Sequence, residues 1–287
     1  MNFLAILPTL LIVALALVMF GLGLSLAVDD FRRLLHHPKA VLVALVLQVV
    51  LLPVGCYLLV VALQVPPVFA IGMLLLAASP GGVTANLFSH LFGGNVAMNI
   101  SLTAINTVLS IVTLPLIANL AIATFANNGQ VVPLQFGKVM EVIAVVLVPV
   151  AIGMAVRSKS LAFSQRMEGP MKLFSALVLA AITVLAIAKE WSALVGSFAS
   201  IGTAVIAFNL LSLLSGYYLS RAAGLARPLA TAISFEIGIH NSTLAIFIAL
   251  SVLQNFELAL PAAVYSVSMY ITATLFGLLV LKRQPAH

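Results

Sequence analysis

The chain has 287 residues, 63% of them hydrophobic and only 7% charged, with a mean hydropathy of +1.24. A soluble domain carries about 25% charged residues, so this composition excludes one and indicates a polytopic membrane protein. A single cysteine, Cys56, rules out a disulfide framework and any Cys-based metal site. The formal charge of +6 does not indicate nucleic acid, because the basic residues fall in short loops between apolar runs.

At a minimum of ~20 residues per crossing, the sequence predicts an all-α protein with nine spans. Their approximate limits are 3–28, 40–63, 68–92, 95–124, 134–156, 170–189, 195–220, 228–253 and 258–281. The first lacks a basic leader, and its apolar stretch far exceeds the roughly 7–15 residues of a signal peptide, so it is predicted to remain as a span. Odd-numbered spans are followed by Arg32, Arg33 and Lys39, then by Arg157, Lys159, Arg166 and Lys172. Arg221 and Arg227, and finally Lys282 and Arg283, fall on the same side. Eleven of the thirteen basic residues therefore share one side, and only Lys138 and Lys189 lie on the other. The positive-inside rule puts the N-terminus outside and the C-terminus in the cytoplasm. The longest non-apolar stretches, 127–135 and 157–172, are predicted loops. Without a P-loop, ATP-driven transport by this chain alone is not indicated.

Two spans are interrupted. The third contains Ala78-Ser-Pro-Gly-Gly-Val-Thr-Ala-Asn-Leu87, where Pro80 removes a backbone donor and Gly81 and Gly82 weaken helical order. The eighth contains Phe235-Glu-Ile-Gly-Ile-His-Asn-Ser-Thr-Leu244, in which Gly238 offers the break. Glu236 is the one acidic residue predicted at membrane depth, where a charge costs at least ~2.5–3.5 kcal/mol and is rarely idle. Overlaying the two segments aligns Gly81 with Gly238, Asn86 with Thr243 and Leu87 with Leu244. With span 5 as the linker, spans 1–4 and 6–9 would form an inverted repeat, and paired broken helices mark the central site of many secondary transporters.

Span 4 adds a polar stripe. Asn99, Thr103, Asn106, Ser110 and Thr113 recur at steps that place them on one helical face. Ser110 and Thr113 read as packing residues, whereas Asn99 and Thr103, nearer in sequence to the span-3 break, read as ligands. Hard oxygens of this kind suit an alkali cation, with Glu236 supplying the charge. Asn209, Ser212, Ser215 and Tyr217 in span 7 read as packing. His36 and His37 read as solvated, Lys138 and Glu141 as a loose interfacial ion pair, and Trp191 as an interfacial anchor.

Pro80-Gly-Gly with Asn86, then Gly94-Asn-Val-Ala97, then Glu236-x-Gly-x-x-Asn241-Ser resemble the bile acid:sodium symporter family. Gly21-Leu-Gly-Leu-Ser-Leu26, His37-Pro-Lys39, and Gln48 five residues before Pro53 extend the resemblance over nearly the whole chain. Bacterial relatives of the ileal bile acid transporter often have ten helices, so this chain would lack the first. The resemblance implies one transporter unit over 1–287, with the two broken helices crossing at mid-membrane. Panel helices would lie near 3–28, 134–156 and 170–189, and a core near 40–124 and 195–281. It also implies two sodium sites. One maps onto Asn86, Thr103, Glu236, Asn99 and the carbonyl of Ala85, the last two at positions where relatives commonly carry Ser. The other maps onto Gln48, Glu236, the carbonyls of Ile237 and Ile239, and His240.

His240 departs from the family, which typically has Gln there. A protonated imidazole cannot ligate sodium, and a neutral one is a poor ligand beside oxygen. With an ordinary pKa near ~6.5, His240 could instead carry a proton in place of the second sodium. The other reading keeps it neutral and hydrogen-bonded, with one sodium at the first site. The family handles organic anions, both sterol conjugates and small carboxylates, and a half-helix N-terminus after each break could favour a carboxylate. Asn241, Ser242 and Thr84 are candidate substrate contacts beside the crossing. Val83, Met269 and Tyr270 occupy family positions that often carry polar contacts, and a small organic anion is preferred over a bile acid.

The predicted function is thus cation-coupled import of an organic anion in a plasma membrane, a bacterial inner membrane by resemblance. No protein partner is evident. A proton-coupled or uncoupled carrier of the same fold, a membrane sensor, and a hydrolase built on Ser79 and His240 remain alternatives. No HExxH helix or paired aspartates support an enzyme.

Overall fold

A computed structural model describes residues 3–82, 84–126, 136–189 and 191–281. Among these the regular structure is helical: α1 (Phe3–Ser25), α2 (Val28–Leu34), α3 (Pro38–Val46), α4 (Leu52–Ala62), α5 (Pro67–Ala78), α6 (Thr84–Leu91) and α7 (Val96–Phe125) come first. They are followed by α8 (Phe136–Lys159), α9 (Leu161–Lys189), α10 (Trp191–Ala222), α11 (Arg227–Gly238), α12 (Ser242–Phe247) and α13 (Leu260–Phe276). A π-helical turn, Leu47–Leu51, joins α3 to α4, and a second, Ile248–Val252, extends α12. Four helical stretches among the described residues are long and apolar enough to cross a membrane: Pro38–Ala62, Val96–Phe125, Ile201–Ala222 and Glu257–Leu281.

Polar and apolar faces are reversed relative to a soluble protein. On α7, Val112, Leu116 and Leu120 are exposed at 69%, 67% and 66%, while Asn99, Thr103, Asn106 and Ser110 are buried. A surface this apolar is stable only against lipid, and the polar stripe must then find its partners inside. Thr113, the fifth member of the stripe, is half-buried and donates to the Leu109 carbonyl at 3.2 Å.

Packing sorts the helices. α1 lies chiefly against α8 and α9, whereas α5 packs on α7, and α10 on α11 and α13. The α1–α8 contact is backbone on backbone: a Cβ at Gly23 would strike the Val150 carbonyl, and one at Gly153 the Phe20 carbonyl. Small residues at such crossings allow the approach that drives association in lipid.

One sequence expectation needs correction. Stretch 157–172 is not a loop: α8 continues to Lys159, and α9 begins at Leu161 with the Ser160 hydroxyl accepting from the Phe163 amide at 3.3 Å. Low hydropathy argued against membrane burial there, but a capped helix outside the apolar layer needs none. Gly81, Gly82 and Gly238 sit at the two breaks, and none of them has positive φ. Each also lies at a close approach. A Cβ on Gly238 would meet the Leu213 side chain of α10, and one on Gly82 would lie 3.3 Å from the Ile239 and His240 carbonyls.

The break after α5 has a local cause. Ser79 is extended (φ −74°, ψ 145°), as the residue before a proline prefers. No proline interrupts the second break, where Ile239 leaves the helical region (φ −118°, ψ 85°) and Asn241 starts α12 by accepting from the Leu244 amide at 3.1 Å.

Candidate functional site

The two breaks meet. Gly81 and His240 form an antiparallel bridge, in which the Gly82 amide donates to the Ile239 carbonyl at 2.6 Å and the Asn241 amide to the Pro80 carbonyl at 2.8 Å. An interrupted helix in an apolar setting must find partners for its freed groups, and side chains supply the remainder. Gln48, in the π turn that leads into α4, donates to the carbonyls of Ala77 (3.3 Å) and Ser79 (3.0 Å). Asn209 of α10 and Tyr265 of α13 both donate to the Gly238 carbonyl, at 2.6 and 2.9 Å. Thr272 holds the Asn209 side-chain oxygen. Sequence reasoning placed Asn209 among packing residues and missed Tyr265 and Thr272; only the long-range fold brings them to the break.

Glu236 is fully buried beside this crossing. Its Oε2 accepts from the Thr103 hydroxyl at 2.6 Å, and its Oε1 from the Asn106 amide at 3.1 Å. Gly81 lies against the carboxyl so closely that a Cβ there would collide with it. Asn106 belonged to the predicted stripe without a role, and its spacing of three from Thr103 was the available signal.

The side-chain oxygens of Gln48 (Oε1), Asn86 (Oδ1), Asn99 (Oδ1) and Asn106 (Oδ1) are buried without a hydrogen-bond partner among the described residues, and Asn106 among them contacts the Glu236 carboxylate through its amide nitrogen. In three of these the amide nitrogen is committed, Gln48 to Ala77 and Ser79, Asn99 to the Ala232 carbonyl at 2.7 Å, and Asn106 to Glu236. Each side chain is thereby held with its acceptor oxygen left over. Neutral oxygens combined with one carboxylate are the kind of donor set a hard monovalent cation takes, and the chemistry of these residues fits sodium.

The other predicted residues fall as follows. Ala85 is buried in α6, and Ile237 is buried in α11. The Ile239 carbonyl already accepts from Gly82. His240 donates from Nδ1 to the Ser79 carbonyl at 3.1 Å, so that nitrogen cannot ligate a cation. Its Nε2 is buried without a partner among the described residues, and the ring stacks on Phe208 with centroids 5.5 Å apart.

Among the substrate candidates, Thr84 and Tyr270 come together, their hydroxyls 3.4 Å apart. The Asn241 oxygen is committed to capping α12, Ser242 Oγ is buried without a partner among the described residues, and Met269 is buried in the core. Val83 lies outside the described residues, as do the side chains of Lys138 and Glu141. A cleft of about 330 Å³ is lined by Arg33, His36, His37, Asn95, Ala97 and Met98.

A model of the sodium bile acid symporter family matches residues 12–197. The chain belongs to this family. It is 30% identical over 263 residues to a probable chloroplastic sodium/metabolite cotransporter of Arabidopsis thaliana, an overlap of 91% of this chain and 64% of the relative. A counterpart from Oryza sativa subsp. japonica is 29% identical over 276 residues, 96% of this chain and 66% of that protein. The chain therefore spans just under two thirds of the length of these plant relatives. The human ileal sodium/bile acid cotransporter is 26% identical over 243 residues, covering 83% of this chain and 68% of its own length. These relatives are named as cotransporters, and this family member is a multi-pass membrane protein.

Proposed function

We propose that the chain is a secondary transporter that couples sodium to the movement of a small organic anion by alternating access. The observation that carries this reading is the buried Glu236 carboxylate, held by Thr103 and Asn106 beside the crossing of two interrupted helices, in a protein interior that also holds amide oxygens without a partner among the described residues. Sodium would be held by Glu236, Asn86, Asn99 and Thr103, with Gln48 and the backbone carbonyls of Ile237 and Ile239 offering a second position. The ion supplies the charge that lets an anion approach a buried carboxylate, and its gradient supplies the driving force. Thr84, Tyr270, Asn241 and Ser242, with Val83 and Met269, would form the anion's surroundings.

Nine membrane spans are supported by the coincidence of the helices with the apolar segments and by the single-sided basic loops, which put the C-terminus in the cytoplasm. An inverted repeat is supported by the equivalent duties of Gln48 and Asn209, each from the helix preceding a break and each holding its carbonyls. Helices α1, α8 and α9 would be the panel, and α3–α7 with α10–α13 the core that moves against it.

A proton-coupled form has one observation in its favour. Nε2 of His240, buried and without a partner among the described residues, is the atom at which a proton would be taken up. Thermal stabilisation of the purified protein by small organic anions in sodium or choline, at several pH values, separates these readings. Stabilisation that needs sodium supports sodium coupling, and stabilisation that ignores sodium overturns it.

A further inference from the structure

Three buried oxygens on one side of Glu236 remain unused by the site described above or are only partly used by it. Ser89 of α6, Thr231 of α11 and Asn99 of α7 are all fully buried. Ser89 Oγ, Thr231 Oγ1 and Asn99 Oδ1 have no hydrogen-bond partner among the described residues. A helical Ser or Thr can ordinarily satisfy itself on a carbonyl one turn back, as Ser101 and Thr107 do on α7 with the carbonyls of Ala97 and Thr103. Two hydroxyls that forgo this, in the interior of a membrane protein, call for a ligand.

The three residues share one neighbourhood. A Cβ placed on Gly94 would lie 3.1 Å from Thr231 Cγ2, 3.2 Å from the Ala232 amide nitrogen and 3.2 Å from Ser89 Cα. Asn99 joins them by donating to the Ala232 carbonyl at 2.7 Å. All three sit nearer the Gly94 end of the bundle than Glu236 does. Thr231 precedes Glu236 by five residues of α11, about 7.5 Å along a helix, and Asn99 precedes Thr103 by one turn of α7.

We propose that Ser89 Oγ, Thr231 Oγ1 and Asn99 Oδ1 form a transit station for an alkali cation between Glu236 and the Gly94 end. The inference rests on the sodium reading of Glu236 and deepens it by assigning the route. Three neutral oxygens without a carboxylate bind a partly hydrated sodium ion weakly, and weak binding suits a position that an ion must enter and leave. Asn99 belongs to both places, so its amide oxygen can follow the ion from one to the other.

The test uses the full-length protein and sodium alone. Equilibrium sodium binding is read from thermal stabilisation, and release of bound 22Na⁺ after dilution is followed on capture beads. The double variant Ser89→Ala, Thr231→Val is expected to release sodium about tenfold more slowly, as the loss of an intermediate coordination step requires, while its equilibrium midpoint stays as in the wild type. Thr231→Ser, which keeps the hydroxyl, is expected to release sodium normally. Wild-type release from the double variant overturns the proposal. If the valine variant does not fold, Ser89→Ala alone carries the same two outcomes. Glu236→Gln separates the two levels: loss of its sodium response leaves the underlying site standing, and retention of that response removes the site and the route together.

Discussion

Thr103 donates its hydroxyl to the Glu236 carboxylate at 2.6 Å across 133 residues of chain. The contact ties the polar face of α7 to the second interrupted helix and leaves the hydroxyl's lone pairs available to a cation. A hydrogen bond to a charged group is worth about 1.5–3 kcal/mol, so Thr103→Val is expected to weaken sodium binding about ten- to a hundredfold. Thr103→Ser should stay close to wild type. Sodium titrations followed by thermal stability distinguish the two.

Glu236→Gln removes the only charge in the cluster while keeping its size. Sodium present at a hundred times its dissociation constant stabilises a protein by about 2.7 kcal/mol, and this increment should vanish in the variant. An intact sodium response would show that the cation is held elsewhere.

The crossing itself can be tested apart from the cation. Gln48→Leu leaves the Ala77 carbonyl and one contact of Ser79 unmet, whereas after Asn209→Leu the Gly238 carbonyl still accepts from Tyr265. Leaving a buried acceptor unsatisfied costs about 1–3 kcal/mol, so Gln48→Leu should lower thermal stability more than Asn209→Leu does. Equal losses would mean that Tyr265 does not substitute for Asn209.

Gly81 and Gly23 make a contrasting pair. Gly81→Ala drives a methyl group into the Glu236 carboxyl and should abolish sodium-dependent stabilisation. Gly23→Ala pushes α1 away from Val150, and overpacking of this kind costs about 1–3 kcal/mol. Its sodium midpoint should be unchanged, since neither helix contributes a residue to the cluster. A shifted midpoint in Gly23→Ala would mean that panel position controls the cation site.

His240→Gln replaces a ring whose Nδ1 is already engaged with Ser79. If the free Nε2 carries a coupling proton, the variant should lose pH dependence in anion-induced stabilisation and gain dependence on sodium concentration. Unchanged profiles in both would leave His240 as a clamp on the break.

Much of this protein follows from its sequence alone. Composition dictates a membrane protein, because so few charges cannot solvate a folded surface, and Pro80 dictates the first break by removing a donor. The three- and four-residue steps from Asn99 to Ser110 fix a buried polar face, since helical geometry admits no other arrangement of those positions. Glu236 stands out because a carboxylate among apolar residues is too costly to be incidental. The tertiary structure decided what no local pattern encodes. Asn106, rather than its position in a stripe, matters because folding brings it to Glu236, and Gly81 because that carboxyl passes over it. Asn209 and Tyr265 became supports of the second break only once α10 and α13 packed on it. Hydrogen bonds between helices far apart in the chain depend on crossing angle and depth, and neither is written in the spacing of residues along one helix.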